Sequence, residues 1–272
     1  MVASIGSNGN QSPLRYIDKS TKEKEKSLNR LASGKNNALD NPAAASIVAE
    51  LEAQGKELNQ ASRNIGDAAS MTAIAESAIS GINESIGRIK ELAIQASNGT
   101  YSAAQREAMQ AEASQLAQEV NRTLESAQFN GQKIFDNKEN PELSVQVGTD
   151  SNPNSRVSFK FGDIAEKAKG LLTVDLTTAA GRDAALSQTD ALTQELNARR
   201  GELGAFQARL ETADEAAKKA AETSQAAAAA IRDIDYAQET ARYTANNILA
   251  QTSTAMAAHA NLSQQAVMRL LS

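Results

Sequence analysis

The stretch from Pro42 to Ser97 constrains this chain more than any other part, because no second proline interrupts it and its apolar residues recur at helical spacing. Asp40-Asn41-Pro42 offers an N-cap residue followed by proline at the first helical position, where a missing N–H costs nothing. Asn98-Gly99-Thr100 supplies the stop. Between these signals lie on the order of 55 residues, roughly 80 Å of helix at the usual rise. Leu51, Leu58 and Ile65 fall at heptad spacing, and Ile79, Ile82, Ile86, Ile89 and Ala93 follow alternating short helical steps. Such a stripe is a coiled-coil seam that must find a partner along its length.

The rest of the chain supplies partners. A second helix is expected over residues 103–127, with Leu116, Val120 and Leu124 on one side, bracketed by the turns Asn98-Gly99 and Asn130-Gly131. The pattern there is an antiparallel helical hairpin. Helix resumes near Gly181 and runs to the end with one break; Leu196, Leu203, Leu210 and Ala217 repeat at heptad spacing and suit the first long seam. Between the helical halves the period changes. Leu143, Val145 and Val147, then Val157, Phe159 and Phe161, alternate with polar residues as in a β-hairpin, and Leu172, Val174 and Leu176 read as a third strand.

The two ends carry weaker seams. Leu14, Ile17, Leu28 and Leu31 share one side of a helix, but Lys19 and the run Lys22 to Lys26 fill its middle, so this helix is marginal alone. It stops at Gly34. Ile234, Ala241, Ala245 and Ile248 form a small-residue seam near the other end, and Leu270 closes it. Marginal seams are satisfied best by pairing front with back and by stacking between subunits, so these nine residues are the candidate subunit-packing set. The expected fold is mainly α: a long antiparallel helical coiled-coil rod with a small β-hairpin insert at about 141–176, both termini paired at one end. Residues 1–41 with 233–272 are expected to form a terminal domain, and 42–232 a rod domain.

Composition narrows the function. Aromatic residues are 3% of the chain and Trp is absent, whereas hydrophobic residues reach 41%, much of it alanine. That favours helices packed along narrow seams over a thick core. Net charge is −5 with both signs interspersed, and no basic block points to nucleic acid. There is no cysteine, and the single histidine, His259, lies among alanines without carboxylates at ligand spacing, so no metal or other cofactor is expected. No serine or lysine sits in a strained elbow that would expose a nucleophile, and an enzyme is not expected. Asp233 and Asp235 read as charge at a helix start. No apolar run approaches membrane-span length. The opening residues lack the charge-then-apolar pattern of a cleaved signal peptide, so export by another route is expected.

Several segments carry a family resemblance. Asp40 to Ile47, Gln60-Ala61-Ser62-Arg63-Asn64-Ile65-Gly66-Asp67, and the run Arg88 to Thr100 resemble successive stretches of the bacterial flagellins. Phe129 to Phe135, Val145-Gln146-Val147-Gly148, Ile231 to Glu239, Ile248 to Thr252, His259-Ala260-Asn261 and Val267 to Leu271 continue the likeness in family order. The linker Ala32-Ser33-Gly34-Lys35-Asn36-Asn37 departs from it by lacking the family's Arg-Ile pair.

The resemblance implies a homopolymer: a structural, self-assembling subunit of the extracellular flagellar filament, without the variable outer domains of longer members. It implies export through the flagellum's own apparatus, a flagellin chaperone and a filament cap as partners. Arg88, Leu92 and Glu112 match positions where a host toll-like receptor grips flagellins; rod packing is the primary reading of all three. The alternatives are a hook–filament junction protein or a specialised minor flagellin.

Overall fold

The computed structural model describes residues 11–36, 41–135, 142–162 and 164–271; Asp40, the first residue of the expected helix-start signal, lies outside them. The chain divides into two compact units, residues 54–223 and residues 1–53 with 224–272. Six helices are described: α1 (Gln11–Ser33), α2 (Pro42–Ser97), α3 (Ala103–Ser126), α4 (Ile164–Ala168), α5 (Ala179–Arg232) and α6 (Tyr236–Leu271). The four strands are β1 (Gln128–Phe129), β2 (Gln132–Lys133), β3 (Leu143–Gln146) and β4 (Arg156–Phe159).

Local chemistry explains where the long helices begin. Asn41 caps α2, its side-chain oxygen accepting from the Ala44 amide at 3.1 Å, with Pro42 at the first helical position. Ser102 and Gln105 form a reciprocal capping box at the start of α3. The turn before it is stapled by Arg106, which donates to the carbonyls of Ala96 at 2.9 Å and Asn98 at 3.2 Å. The helical hairpin expected from the sequence is therefore present, and antiparallel.

Within residues 54–223, α2, α3 and α5 enclose one apolar core. Cross-helix contacts show that α5 runs antiparallel to α2: Lys90 meets Asp190, Glu76 meets Arg200, Thr72 meets Gln207, and Ser62 meets Asp214. The heptad residues face inward. Ile79, Ile82, Ile86 and Ile89 of α2 pack with Leu192, Leu196, Leu203 and Leu210 of α5 and with Val120 and Leu124 of α3. Each such side chain contributes about 1.5–3 kcal/mol when fully buried. Alanines fill the intervening positions, among them Ala75, Ala93, Ala113 and Ala117, which is how so few aromatics suffice.

The β-region seals this core. Asn130 (φ 48°) and Gly131 (φ 80°) form the two-residue turn between β1 and β2, both in the left-handed region that a type I′ hairpin demands. β3 and β4 pair antiparallel with Val145 opposite Val157 and Leu143 opposite Phe159, so the larger hairpin has the expected inward residues. Phe159 stands 5.0 Å from Phe161 and 5.2 Å from Phe206 of α5, and Phe135 stacks edge-on to Phe161 at 6.0 Å. Four of the five phenylalanines thus anchor the hairpin to α5.

The expected third strand is corrected. Lys169–Thr173 form a 3₁₀ turn, and the following residues pair with no strand. Gln110 of α3 takes the backbone groups that a ladder would have used: its amide donates to the Val174 carbonyl at 2.8 Å, and its carbonyl accepts from the Leu176 amide at 2.6 Å. Leu171, Val174 and Leu176 are buried, while Leu172 is exposed.

Candidate functional site

The candidate packing residues lie on α1 and α6, which pair with each other, except Ile234, which lies in the short connection before α6. Gly34 (φ 68°) ends α1 in a left-handed conformation, its amide on the Arg30 carbonyl at 2.8 Å. The chain leaving α1 meets the chain entering α6 as a short antiparallel clasp: Asn36 N donates to Arg232 O at 2.7 Å, and Ile234 N donates to Gly34 O at 3.2 Å. Lys35 and Asp233 bridge between these bonds. Arg232 adds Glu52 at 2.6 Å and Asp233 at 3.0 Å; Asp233 leads the bonds that raise its guanidinium pKa above the ordinary value. Asp235 then caps α6, its carboxylate accepting from the amides of Ala237 at 2.9 Å and Gln238 at 3.2 Å. The aspartate at this helix start does the capping its position implied.

From the clasp the two helices run antiparallel. Arg30 meets Glu239 at 3.0 Å, and further along, the Lys24 ammonium stands 6.0 Å from the Tyr243 ring centre. The side that α1 buries is polar: Ser20 and Ser27 are buried, with Ile17, Lys24 and Leu31 half-buried beside them. The α6 side mixes polar and small residues, with Glu239 buried and Tyr243, Asn246, Asn247, Ala250, Ser253 and Ala257 half-buried.

The apolar side chains are mostly on the other side. Leu28 and Ile248 are exposed, as are Ala241 and Ala245, while Ile17, Leu31 and Ile234 are half-buried. The small-residue seam of α6 does not face α1. Tyr236, Thr240, Ala241, Thr244, Ala245 and Ile248 instead line a shallow strip on the outside of the helix. Leu14 and Leu270 lie outside the residues whose side chains are described. Sequence reasoning missed Leu249, Met256 and Leu262, all exposed on α6, and Tyr16 on α1. Their signal was being apolar without belonging to any seam.

Arg88, Leu92 and Glu112 separate into two groups. Arg88 bonds Glu112 across the helical hairpin at 2.9 Å and Glu91 at 3.1 Å, all three exposed. The bond to Glu112 foremost, then that to Glu91, raises the guanidinium pKa above its ordinary value. Leu92 is 1% exposed and joins Ile89 and Ala93 in the core. It does not share the solvent face with Arg88, because its side of α2 faces the shared apolar core. His259 is exposed on α6. Among the described residues no group of three or more His, Cys, Asp or Glu could hold a metal ion, and no helix is long and apolar enough to cross a membrane.

Comparison with known proteins follows the same outline. The model of the bacterial flagellin N-terminal helical region matches residues 7–140, and that of the bacterial flagellin C-terminal helical region matches residues 186–271. The chain is 35% identical to the flagellar filament 33 kDa core protein of Treponema phagedenis over 264 residues, covering 91% of this chain and 92% of that one. It is 35% identical to a flagellin of Halalkalibacterium halodurans over 249 residues, covering 91% of each. Among solved structures, Bacillus cereus flagellin superposes with a TM-score of 0.51 at 25% identity, over 57% of this chain and 88% of that one. A proposed flagellar hook-associated protein from Vibrio parahaemolyticus shares the fold, with a TM-score of 0.56 at 14% identity over 71% of this chain and 99% of that one.

Proposed function

The chain belongs to the bacterial flagellin family as a structural subunit for assembly of the extracellular flagellar filament, and we infer that its α1/α6 pair is the element that joins one subunit to the next. The observation that carries this reading is the inverted packing of the pair. Its serines, asparagines and a charged pair lie between the helices, while Leu28, Ile248, Leu249 and Met256 lie outside in water. Removing each such side chain from water contributes about 1.5–3 kcal/mol. A second copy supplies the cover, and repetition along a lattice turns isolated apolar strips into a continuous core.

In this reading residues 1–41 with 233–272 form the filament core, and residues 42–232 form the surrounding rod. Leu31 lies next to the clasp and Ile234 within it, and Leu14, Ile17, Leu28, Ala241, Ala245, Ile248 and Leu270 complete the packing set. Family membership supports the further partners: the flagellar export apparatus, which takes the chain out without a cleaved signal peptide, a flagellin chaperone, and the filament cap. For a host toll-like receptor, the exposed Arg88–Glu112 pair is the accessible contact, and Leu92 acts from beneath by holding α2 and α3 together.

Removing residues 233–272 tests the assembly reading. The shortened chain is expected to stay soluble, keep the helical signal of residues 54–223, and form no filaments by electron microscopy after salt or seed induction. Filaments from the shortened chain would defeat the reading. A full-length chain that only joins or caps filaments of another flagellin would move the assignment to a junction protein or a minor flagellin.

A further inference from the structure

Beyond the clasp at its end, the described part of the α1/α6 seam carries few side chains that set its register. Interdigitating apolar side chains fix the sliding position of paired helices, because each knob fits one hole. Among the described side chains of α1, the fully covered positions are Ser20 and Ser27, two small residues at heptad spacing. A slip by two turns would place one serine where the other had been. Ser27 does not resist it, since its buried hydroxyl oxygen has no hydrogen-bond partner to lose.

Alongside the clasp and the Lys24–Tyr243 contact, one ion pair inside the seam resists it. Arg30 Nε lies 3.0 Å from Glu239 Oε1, and the two side chains are 15% and 5% exposed. Sliding the helices would leave the Glu239 carboxylate inside the seam without its guanidinium, and an uncompensated buried charge is strongly unfavourable. Arg242 lies 3.7 Å from the other carboxylate oxygen, but it is 58% exposed and sits on the same helix as Glu239. It therefore moves with Glu239 and favours no register.

We propose that the Arg30–Glu239 pair is the side-chain contact that, with the clasp, holds the register of the α1/α6 seam. It thereby fixes the pattern in which Leu28 and Ile248 are presented together to a second copy of the chain. This rests on the assembly reading above. Arg30 and Glu239 are positioning residues: they do not touch the neighbouring subunit, but they decide which surface it meets.

The test uses full-length chains carrying Arg30→Glu, Glu239→Arg, both together, or the conservative Glu239→Gln, each seeded with wild-type filament fragments. The readout is the critical concentration for polymerisation, alongside hydrogen exchange of residues 54–223. Each reversal, and Glu239→Gln to a lesser degree, is expected to raise the critical concentration, by roughly tenfold or more for the reversals. Exchange of residues 54–223 stays at the wild-type level. The double reversal recovers assembly, because opposite charges again meet at the same position. An equal mixture of the two single reversals does not, because the pair is intramolecular. The proposal is overturned if the single reversals assemble like wild type, if the double is no better than the singles, or if the mixture assembles as well as wild type. Failure of the wild-type chain itself to polymerise would instead overturn the assembly reading.

Discussion

Residues 54–223 and the α1/α6 pair are both made of long antiparallel helices, yet they place their apolar side chains on opposite sides. In the first, Ile79, Ile86, Leu196 and Leu203 point between the helices, and ion pairs such as Lys167–Glu195 lie at the surface. In the second, Arg30 and Glu239 lie between the helices, while Leu28 and Ile248 face water. The first arrangement is complete in one chain. The second leaves apolar side chains in water, and in the proposed assembly another chain covers them. Helix-forming sequence is common to both, and the direction of the apolar face is what distinguishes them.

Deleting side-chain volume from the inward face gives the largest expected effect. Ile86 is fully buried, and Ile86→Ala is expected to cost about 2–5 kcal/mol of unfolding free energy. Guanidinium titration followed by circular dichroism measures it, and a loss under about 1 kcal/mol would mean that the three-helix core is not close-packed. Next in size is the β1–β2 turn that closes this core. Gly131 has φ 80° with open space where a Cβ would go, so Gly131→Ala is a purely conformational change expected to cost about 1–2 kcal/mol. Gly99→Ala is the control, because Gly99 also has open space but no positive φ. Equal effects at the two glycines would remove the turn from the account.

Much of this division was legible in the sequence. Pro42 and Asn98-Gly99 bound α2, the isoleucine stripe faces inward, and the Val145/Val157 hairpin forms as its alternation predicts. The parts that were not legible share a physical cause: they depend on a partner that local pattern does not name. Leu172, Val174 and Leu176 alternate like a strand, but Gln110, distant in sequence, occupies the backbone groups at Val174 and Leu176. Leu92 follows Arg88 by one helical turn, yet only the packing of the elements around the shared core decides that it is buried. The Ala241–Ala245–Ile248 stripe announces a close-packing face without saying whether α1 or another chain uses it. The Arg30–Glu239 contact joins residues from opposite ends of the chain and has no local signature at all.

A smaller effect separates the two kinds of ion pair. Glu195 accepts from Lys167 at 2.9 Å and from Arg199, and the Lys167 bond foremost holds its carboxyl below the ordinary value of 4.5. A depressed folded pKa contributes stability that is present above the unfolded value and lost as pH falls through the folded one. Glu195→Gln is therefore expected to lower the stability of residues 54–223 modestly at neutral pH and to flatten the acid limb below about pH 4.5, the difference from wild type vanishing once Glu195 is protonated. Denaturant titrations at pH 7 and across the acid limb measure it. An unchanged acid limb would show that this surface network does not couple to folding.

The smallest effect on the isolated subunit is expected from the change that matters most to assembly. Ile248→Ala removes the same atoms as Ile86→Ala, but Ile248 is 57% exposed whereas Ile86 is fully buried. The subunit's unfolding free energy is expected to change by no more than about 0.5 kcal/mol, as for other surface substitutions. If subunits meet on the outer strip of α6 as proposed, losing the burial of this side chain is expected to raise the critical concentration by about tenfold. Parallel measurement of unfolding and polymerisation on the two variants sets one chemical deletion in two contexts. If Ile248→Ala destabilises the subunit as Ile86→Ala does, then α6 is folded onto apolar cover within one chain and the contrast fails. If it changes neither quantity, the outer strip of α6 is not where subunits meet, and the clasp or the outer surface of α2 and α5 must carry the contact instead.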